Sequence, residues 1–390
     1  MTYTRSKPAM RLFPIYLSVF VTALGIGLVS PLVPRLIEEA GANELLVGLT
    51  ASVMFASFVL TAWPLGAAID RWGIRPFLLG GLACYGLAMA LMPWTTKLGY
   101  FFLLRLLEGI GWAGVWVSTE TYVSWVSTSD RRGRNMALYS IALAMGTSSG
   151  PVIGSELFLI REGLPFLLTV LLVLIAIALV ATVVPEPEHD QEMHAHHPPI
   201  SLTLAPKLAL PLIIAGLYGY GVASLVSLLP VSRPSTQEVS LLMTTTIIAS
   251  VLAQLPVGHL TDRYGRRPVL VGSLSLLTLS AILASLEPQF DLLLLLAVML
   301  GALAGTLYPI GLAMLADRAS SRQLGMANGL FSLSYGVGSI IGPACSGWAM
   351  GMFGPYALFS SLGLLSACLL IALILGLDSE AHKSRAQADI

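Results

Sequence analysis

The chain has 390 residues, of which 56 % are hydrophobic and only 11 % are charged, with a formal net charge of zero. Its mean hydropathy is +0.81. This composition excludes an ordinary soluble domain and is typical of a membrane protein, for which a lipid bilayer is the main partner and no nucleic acid is expected.

Long apolar runs fill almost the whole chain. A helix that crosses a bilayer needs about 20 mostly apolar residues. Basic residues precede the first run, which is too long to be a cleaved signal peptide. Twelve runs meet the requirement, at 12–34, 45–69, 77–95, 99–126, 135–160, 164–184, 207–229, 239–261, 269–287, 290–315, 324–350 and 355–377. We therefore predict an all-α polytopic membrane protein with twelve transmembrane helices.

The basic residues predict the orientation. If the N-terminus is cytoplasmic and the helices alternate, most of the 21 Lys and Arg residues fall in cytoplasmic segments. The outer loops then hold only Arg35, Lys97, Arg161 and Arg233, and Arg105 lies within a helix. Since loops rich in Lys and Arg stay inside, we predict that both termini are cytoplasmic and that the protein lies in the cytoplasmic (inner) membrane.

The fourth run, 99–126, carries the charges Arg105, Glu108 and Glu120. Each costs at least roughly 2.5–3.5 kcal/mol at the bilayer centre. Glu108 lies one turn after Arg105 and can pair with it. Glu120 lies about 22 Å from Arg105 along the helix axis and cannot pair with it. In a helix, five residues of this run share one face, within a stripe about 80° wide: Arg105, Gly109, Trp112, Trp116 and Glu120.

A polar, proline-rich segment at 185–206 divides the chain. It has no helical periodicity and is interpreted as a cytoplasmic linker between two six-helix bundles, at 1–184 and 207–390. Its four histidines could bind a metal, but no second cluster of ligands supports that alternative. They are His189, His194, His196 and His197. We therefore predict a solvated linker and no metal site.

The second half repeats the first at an offset of 192 residues. Nine of the seventeen residues at 64–80 recur at 256–272, and Gly150-Pro151 recurs as Gly342-Pro343. An internal repeat of six helices in the same orientation is typical of one large class of transporters. The repeat also singles out the intramembrane charges, because none is duplicated: Arg105, Glu108, Glu120 and Glu156 correspond to Ala297, Leu300, Leu312 and Trp348.

Since the architecture does not require these charges, we assign them to function. Glu156, near the outer end of its helix, has a simpler alternative as a solvated carboxylate that snorkels to the surface.

Two short loops carry a family resemblance. The loop after the second run resembles the G-x-L-a-D-r-x-G-r-k motif of the major facilitator superfamily, and so does its repeat. The second copy fits in full, while the first departs at Ala68 and Ile74. The first run also matches the family's "LGIGLVSPLVP" phrase at 24–34. The chain is similar to twelve-helix transporters of this superfamily over nearly its whole length.

The resemblance implies a cytoplasmic gate at these loops. Their arginines can bond a carboxylate or exposed carbonyls at a neighbouring helix end, and such bonds would break as the halves move. The alternative is that the arginines only fix the topology. The predicted gate residues are Asp70, Arg71 and Arg75 in the first half and Asp262, Arg263, Arg266, Arg267 and Asp317 in the second.

Two helix phrases imply the mode of transport. The phrase "GTSSGPVIG" at 146–154 resembles one that the family links to proton-coupled antiport and efflux; it contains Gly146, Gly150, Pro151 and Gly154. Close helix packing by small residues is the alternative. The family's fourth-helix phrase R-x-x-q-G-x-g is matched by Arg105 and Gly109, with Glu108 in the usual glutamine position.

We predict a proton-coupled exporter of a small amphipathic or lipophilic compound. Glu108 or Glu120 would carry the proton, since a carboxylate in a dry cavity can be protonated at neutral pH, and Arg105 would bias it. Glu120 could instead have a structural ion-pair partner, for which Arg75 is a candidate. The predicted cavity is apolar and aromatic, lined by Trp112, Trp116, Tyr308 and Gln254.

Other functions stay open at this point. The same fold could take up a small organic anion bound by Arg105, as a symporter or uniporter, or could handle lipids. An intramembrane enzyme or receptor is a different class, but the helix interiors show no convergent catalytic set. We expect no enzyme activity, no cofactor and a monomer.

Overall fold

The computed structural model describes residues 8–128, 131–182, 205–233, 235–319 and 323–375. Within these ranges the chain forms α-helices and one short 3-10 helix, Met92–Trp94, and no β-strand. The α-helices are α1 Pro8–Val29, α2 Val33–Glu39, α3 Glu44–Trp72, α4 Arg75–Leu91, α5 Leu98–Val126, α6 Arg132–Ile160, α7 Leu164–Thr182, α8 Ala205–Ser232, α9 Thr236–Tyr264, α10 Arg266–Ala284, α11 Phe290–Arg318, α12 Leu324–Phe353 and α13 Ala357–Ile374.

The first predicted helix, 12–34, is interrupted rather than continuous. The chain turns at residues 30–32 between α1 and α2. Pro31 has no N–H to donate to the helix, and Pro34 lies in the first turn of α2, where the missing donor costs nothing. The Ser30 hydroxyl closes the end of α1 by donating to the Gly27 carbonyl at 2.9 Å.

Eleven spans in the described chain are long and apolar enough to cross a bilayer, with α1 and α2 counted as one. The remaining long helix, α12, is rich in glycine and serine and 30 residues long. The predicted all-α polytopic fold is confirmed. The predicted linker, 185–206, lies outside the described residues except for its last two positions.

The helix ends reproduce the sequence repeat. Both ends of α3 and α9 differ by 192 residues, and so do both ends of α5 and α11. Gly73 and Gly265, the repeat pair that follows α3 and α9, both have φ of +83°. Glycine reaches this left-handed region without a steric penalty, so it ends a helix sharply. The two halves of the chain therefore share one register over these helices.

The chain forms two compact units. Unit 1 contains the described residues of Met1–Ala42, Thr50–His194 and Pro234–Thr244, and unit 2 contains those of Asn43–Leu49, Ala195–Arg233 and Thr245–Ile390. In unit 1, α1 packs most closely on α6 and α7, and α4 packs on α5 and α7. In unit 2 the equivalent helices pair in the same way, α8 with α12 and α10 with α11 and α13.

Candidate functional site

Helix α5 holds a buried ion pair. The Arg105 Nη1 atom lies 3.0 Å from Glu108 Oε2, one turn along the helix. The same guanidinium nitrogen lies 3.4 Å from Met54 Sδ on α3, and each charged residue is only 6 % exposed. Breaking such a pair on one side leaves a buried charge unpaired, which costs far more than the pair contributes to stability.

Glycine allows α3 to come close at this point. A Cβ at Gly109, next to Glu108, would collide with the Met54 carbonyl and the Ser57 hydroxyl. The α5 backbone therefore contacts α3 directly, and the ion pair is enclosed between helices. The Arg105 Nε atom is buried and has no hydrogen-bond partner, so the guanidinium keeps one donor available.

The repeat shows what the same position looks like without charge. Ala297 and Leu300, the counterparts of Arg105 and Glu108, are 5 % and 1 % exposed. The place of Met54 is taken by Thr246, whose hydroxyl donates to the Ala297 carbonyl at 3.3 Å. Two apolar residues thus fill this position in unit 2, and packing alone does not explain the ion pair in unit 1.

Glu120 lies at the other end of α5 beside aromatic side chains. The Trp116 indole, one turn earlier, lies close enough to interact with its carboxylate. Trp116 stacks on Trp112 with ring centroids 6.4 Å apart. In the described part of the chain no basic side chain forms an ion pair with Glu120. The suggested partner, Arg75, instead donates to the Ala181 carbonyl at the end of α7.

A small cleft in unit 1 adjoins these tryptophans. Trp112, Trp116 and Thr119 of α5 line it together with Thr22 of α1 and Tyr139 of α6. Its volume is about 20 Å³, enough for one water molecule. The lining is mostly apolar and carries three hydroxyl groups, of which Thr119 Oγ1 and Tyr139 Oη lie 3.3 Å apart. Aromatic rings therefore line this cleft, and the Glu120 carboxylate lies close to one of them, Trp116.

The other residues that we predicted for the transport cavity do not line this cleft. Glu156 is exposed and accepts a hydrogen bond from Gln237 Nε2 at 3.1 Å, as expected of a solvated carboxylate. In unit 2, Gln254 is exposed. Tyr308 packs against two residues that the sequence did not single out, Tyr218 and Phe331, each with ring centroids 5.4 Å away.

This second aromatic cluster had a signal in the sequence. At the 192 offset, Tyr308 and Phe331 correspond to Trp116 and Tyr139 of the unit 1 cleft. Tyr335, whose ring centroid is 5.7 Å from that of Tyr218, completes the cluster. Aligning the repeat at aromatic positions, rather than only at charges and glycines, would have found it.

The glycines of the antiporter phrase all face α1. A Cβ at Gly146 would lie 2.6 Å from the Phe20 carbonyl oxygen, and one at Gly150 or Gly154 would collide with the backbone of Gly27 or Leu28. In unit 2, Gly338 and Gly342 meet the backbone of α8 at Gly216 and Tyr220 in the same way. Because both units use it, this contact is a general packing device.

The arginine loops bind helix ends inside each unit. Arg75 donates to the Ala181 carbonyl, and its counterpart Arg267 donates to the Leu373 carbonyl at 3.0 Å. Ala181 and Leu373 also differ by 192 residues, so the repeat conserves the bond. In unit 2, Arg266 forms an ion pair with Asp317 and also donates to the Ala313 carbonyl.

The remaining gate residues lie in the same turns. The Arg71 guanidinium lies 5.1 Å from the centre of the Trp72 ring, and Arg263 lies 5.3 Å from the centre of the Tyr264 ring. Asp262 is exposed, whereas Asp70 is half-buried and has interaction partners. Each of the arginine bonds described above joins helices of one unit.

This placement predicts the effect of removing either arginine bond. We expect Arg75→Ala and Arg267→Ala each to destabilise the protein by about 1 kcal/mol, since each loses a partly exposed charge-assisted hydrogen bond. Thermal unfolding of the purified variants would measure this, with the exposed Arg161→Ala as the control. A loss of transport with unchanged stability would instead support a gate that opens and closes.

Comparisons with known proteins agree with this architecture. The Major Facilitator Superfamily model matches residues 15–234 and 212–389. "Uncharacterized MFS-type transporter YfkF" of Bacillus subtilis (strain 168) is 26 % identical over 372 residues, covering 93 % of this chain and 95 % of that protein. "Uncharacterized MFS-type transporter YcaD" of Salmonella enteritidis PT4 (strain P125109) is 28 % identical, covering 96 % of each. The crystal structure of the nucleoside transporter NupG has a TM-score of 0.80 at 16 % identity, covering 93 % of this chain and 98 % of that chain.

Proposed function

This chain belongs to the Major Facilitator Superfamily and is a multi-pass membrane transporter, and we propose that it exports a small amphipathic or lipophilic compound in exchange for protons. We further propose that it acts as a monomer in the cytoplasmic membrane, with both termini cytoplasmic. The distribution of basic residues supports this orientation.

The buried Arg105–Glu108 pair is the observation that carries the proposal. Its cost in a membrane is high, and the repeat fills the same position with Ala297 and Leu300. A carboxylate enclosed beside a fixed positive charge can take up and release a proton as its surroundings open and close. Glu108 is therefore our primary candidate for the proton carrier, and Glu120 is the second.

The aromatic surfaces support the choice of substrate. Trp112 and Trp116 in unit 1, and Tyr218, Tyr308 and Tyr335 in unit 2, present large rings with few polar partners. Rings of this kind bind flat or lipophilic molecules through apolar contact and attract cations to their faces. The Glu120 carboxylate would add attraction for a positive charge.

One observation favours a different substrate. The Arg105 Nε atom is buried without a hydrogen-bond partner, and a guanidinium donor of this kind can bind a carboxylate. Uptake of a small organic anion by symport or uniport is therefore the second candidate. The Glu108 carboxylate, 3.0 Å from Nη1, would repel such an anion unless it were protonated.

A transport assay tests the proposal. In proteoliposomes with an imposed pH gradient, we expect Glu108→Gln to reduce proton-driven ethidium transport at least about tenfold, because an amide cannot carry a proton. Glu120→Gln tests the second carrier. Glu162→Gln, a change to an exposed carboxylate in the loop after α6, is the control and should transport normally.

Two results would contradict the proposal. If Glu108→Gln and Glu120→Gln both leave proton-driven transport intact, the proposed coupling is wrong. If the protein instead accumulates p-aminohippurate, and an Arg105→Ala variant that thermal unfolding shows to be folded at the assay temperature has lost that accumulation, the organic-anion alternative is correct.

A further inference from the structure

A third polar group adjoins the Arg105–Glu108 pair. Tyr85 of α4 is fully buried, with 0 % of its surface exposed, and its hydroxyl has no hydrogen-bond partner. It lies close enough to Glu108 and Arg105 to interact electrostatically with both. Helix contact explains the proximity, since a Cβ at Gly111 of α5 would lie only 2.6 Å from the Tyr85 backbone nitrogen.

The repeat indicates that packing does not require this hydroxyl. Leu277, the counterpart of Tyr85, is also 0 % exposed. Tyr85, Arg105 and Glu108 thus correspond to Leu277, Ala297 and Leu300 in unit 2, an entirely apolar set. A buried hydroxyl without a partner destabilises the state in which it occurs, so its presence beside two unduplicated charges needs another reason.

The surroundings of Glu108 contain few other ionisable groups. Arg105 lies on its own helix, and Tyr85 lies on α4 beside the half-buried thiol of Cys84. The facing stretch of α3, from Met54 to Phe58, carries no charged or titratable side chain. Tyr85 is therefore the buried hydroxyl that α4 places near the Glu108 carboxylate; the Trp112 indole N–H, four residues after Glu108 on α5, is a second buried donor without a hydrogen-bond partner in the described structure.

We propose that Tyr85 is a positioning residue of the proton site, and that its hydroxyl donates a hydrogen bond to the Glu108 carboxylate when the Arg105–Glu108 pair opens. The Glu108 carboxylate then accepts a hydrogen bond from the Tyr85 hydroxyl in place of the one from the Arg105 guanidinium. Its negative charge stays stabilised while Arg105 is released. The inference rests on the proposed function in treating Glu108 as the proton carrier. No covalent bond changes in this step, and the phenol keeps its own proton.

The variant Tyr85→Phe isolates the hydroxyl, because it keeps the ring and its packing. Without this donor the ionised form of Glu108 loses stabilisation, so Glu108 should hold its proton to higher pH. Dicyclohexylcarbodiimide reacts with protonated carboxyl groups in apolar surroundings and needs no transported substrate. Mass spectrometry of the purified full-length protein, labelled across a pH series, would give the pH at which half of Glu108 is modified.

We expect that pH to rise by about one unit in Tyr85→Phe, an about tenfold change in proton affinity. Tyr220→Phe is the control. Tyr220 is also buried, but its hydroxyl accepts a hydrogen bond from Ser346 at 2.9 Å in unit 2. We expect Tyr220→Phe to lower the unfolding temperature without affecting Glu108 labelling, and Tyr85→Phe to leave the unfolding temperature unchanged or raise it.

Two results would overturn the inference. One is an unchanged labelling pH in Tyr85→Phe, whether or not the variant also loses stability. The other is no labelling of Glu108 at any pH in the native protein, since Glu108 would then never become neutral. The proposed function fails separately, if Glu108→Gln and Glu120→Gln both retain proton-driven ethidium transport, because the labelling experiment does not depend on transport.

Discussion

We expect the double variant Arg105→Ala/Glu108→Leu to fold as stably as the native chain and to have lost proton-driven transport. It places in unit 1 the two residues that unit 2 already holds at the equivalent positions, Ala297 and Leu300. Replacing a buried ion pair by apolar residues of suitable size is often neutral or stabilising. The variant thus removes the proposed proton carrier without removing the fold.

The single variant Arg105→Ala should behave very differently. It leaves Glu108 buried with no compensating charge, and breaking a buried pair on one side typically costs about 3–5 kcal/mol. Thermal unfolding in detergent would measure the stability of both variants, and ethidium transport in proteoliposomes would measure their activity. A large drop in unfolding temperature for the single variant, recovered in the double variant, is the expected pattern.

The opposite pattern would assign the pair to structure. If the double variant is as unstable as Arg105→Ala, unit 1 needs the ion pair for packing, despite the example of unit 2. If the double variant is stable and still transports ethidium on a pH gradient, Glu108 does not carry the proton. Each outcome separates a role in stability from a role in coupling, which a single substitution of Glu108 would not do.

The fold was predictable because its signals are local and repeated. Apolar runs of membrane length locate the helices, and an offset of 192 residues recurs in the ends of α3 and α9 and of α5 and α11. The break between α1 and α2 has a local cause, Pro31. Hydropathy did not predict this break, because the surrounding run is apolar on both sides of it.

The site was less predictable because its contacts are tertiary. The Arg105–Glu108 pair lies within one helix, so spacing alone predicted it. Tyr85 lies on a different helix, and a tyrosine in an apolar run is not distinguishable from an ordinary buried ring. The Arg75 bond to Ala181 could not be found either, since the acceptor is a backbone carbonyl that every residue possesses.

The second large effect concerns the glycines between α1 and α6. We expect Gly150→Ala to destabilise the protein by about 1–3 kcal/mol, because the added methyl collides with the backbone of Gly27 and lies 2.6 Å from Leu28 N. Backbone atoms cannot rotate away as a side chain can, so the two helices must separate. Unfolding temperature, measured on the purified variant, is the readout.

Two further alanine variants decide what the glycines do. Gly80 of α4 has no atom within 4 Å of an added Cβ, so Gly80→Ala should be neutral or stabilise by up to about 1 kcal/mol through helix propensity. In Gly342→Ala the methyl would lie 2.6 Å from the Tyr220 carbonyl oxygen of α8. If packing is the whole role, Gly150→Ala and Gly342→Ala should lose similar stability and similar transport. If Gly150→Ala instead loses ethidium transport while keeping its stability, and Gly342→Ala keeps both, the phrase at 146–154 acts in antiport itself and not only in helix packing.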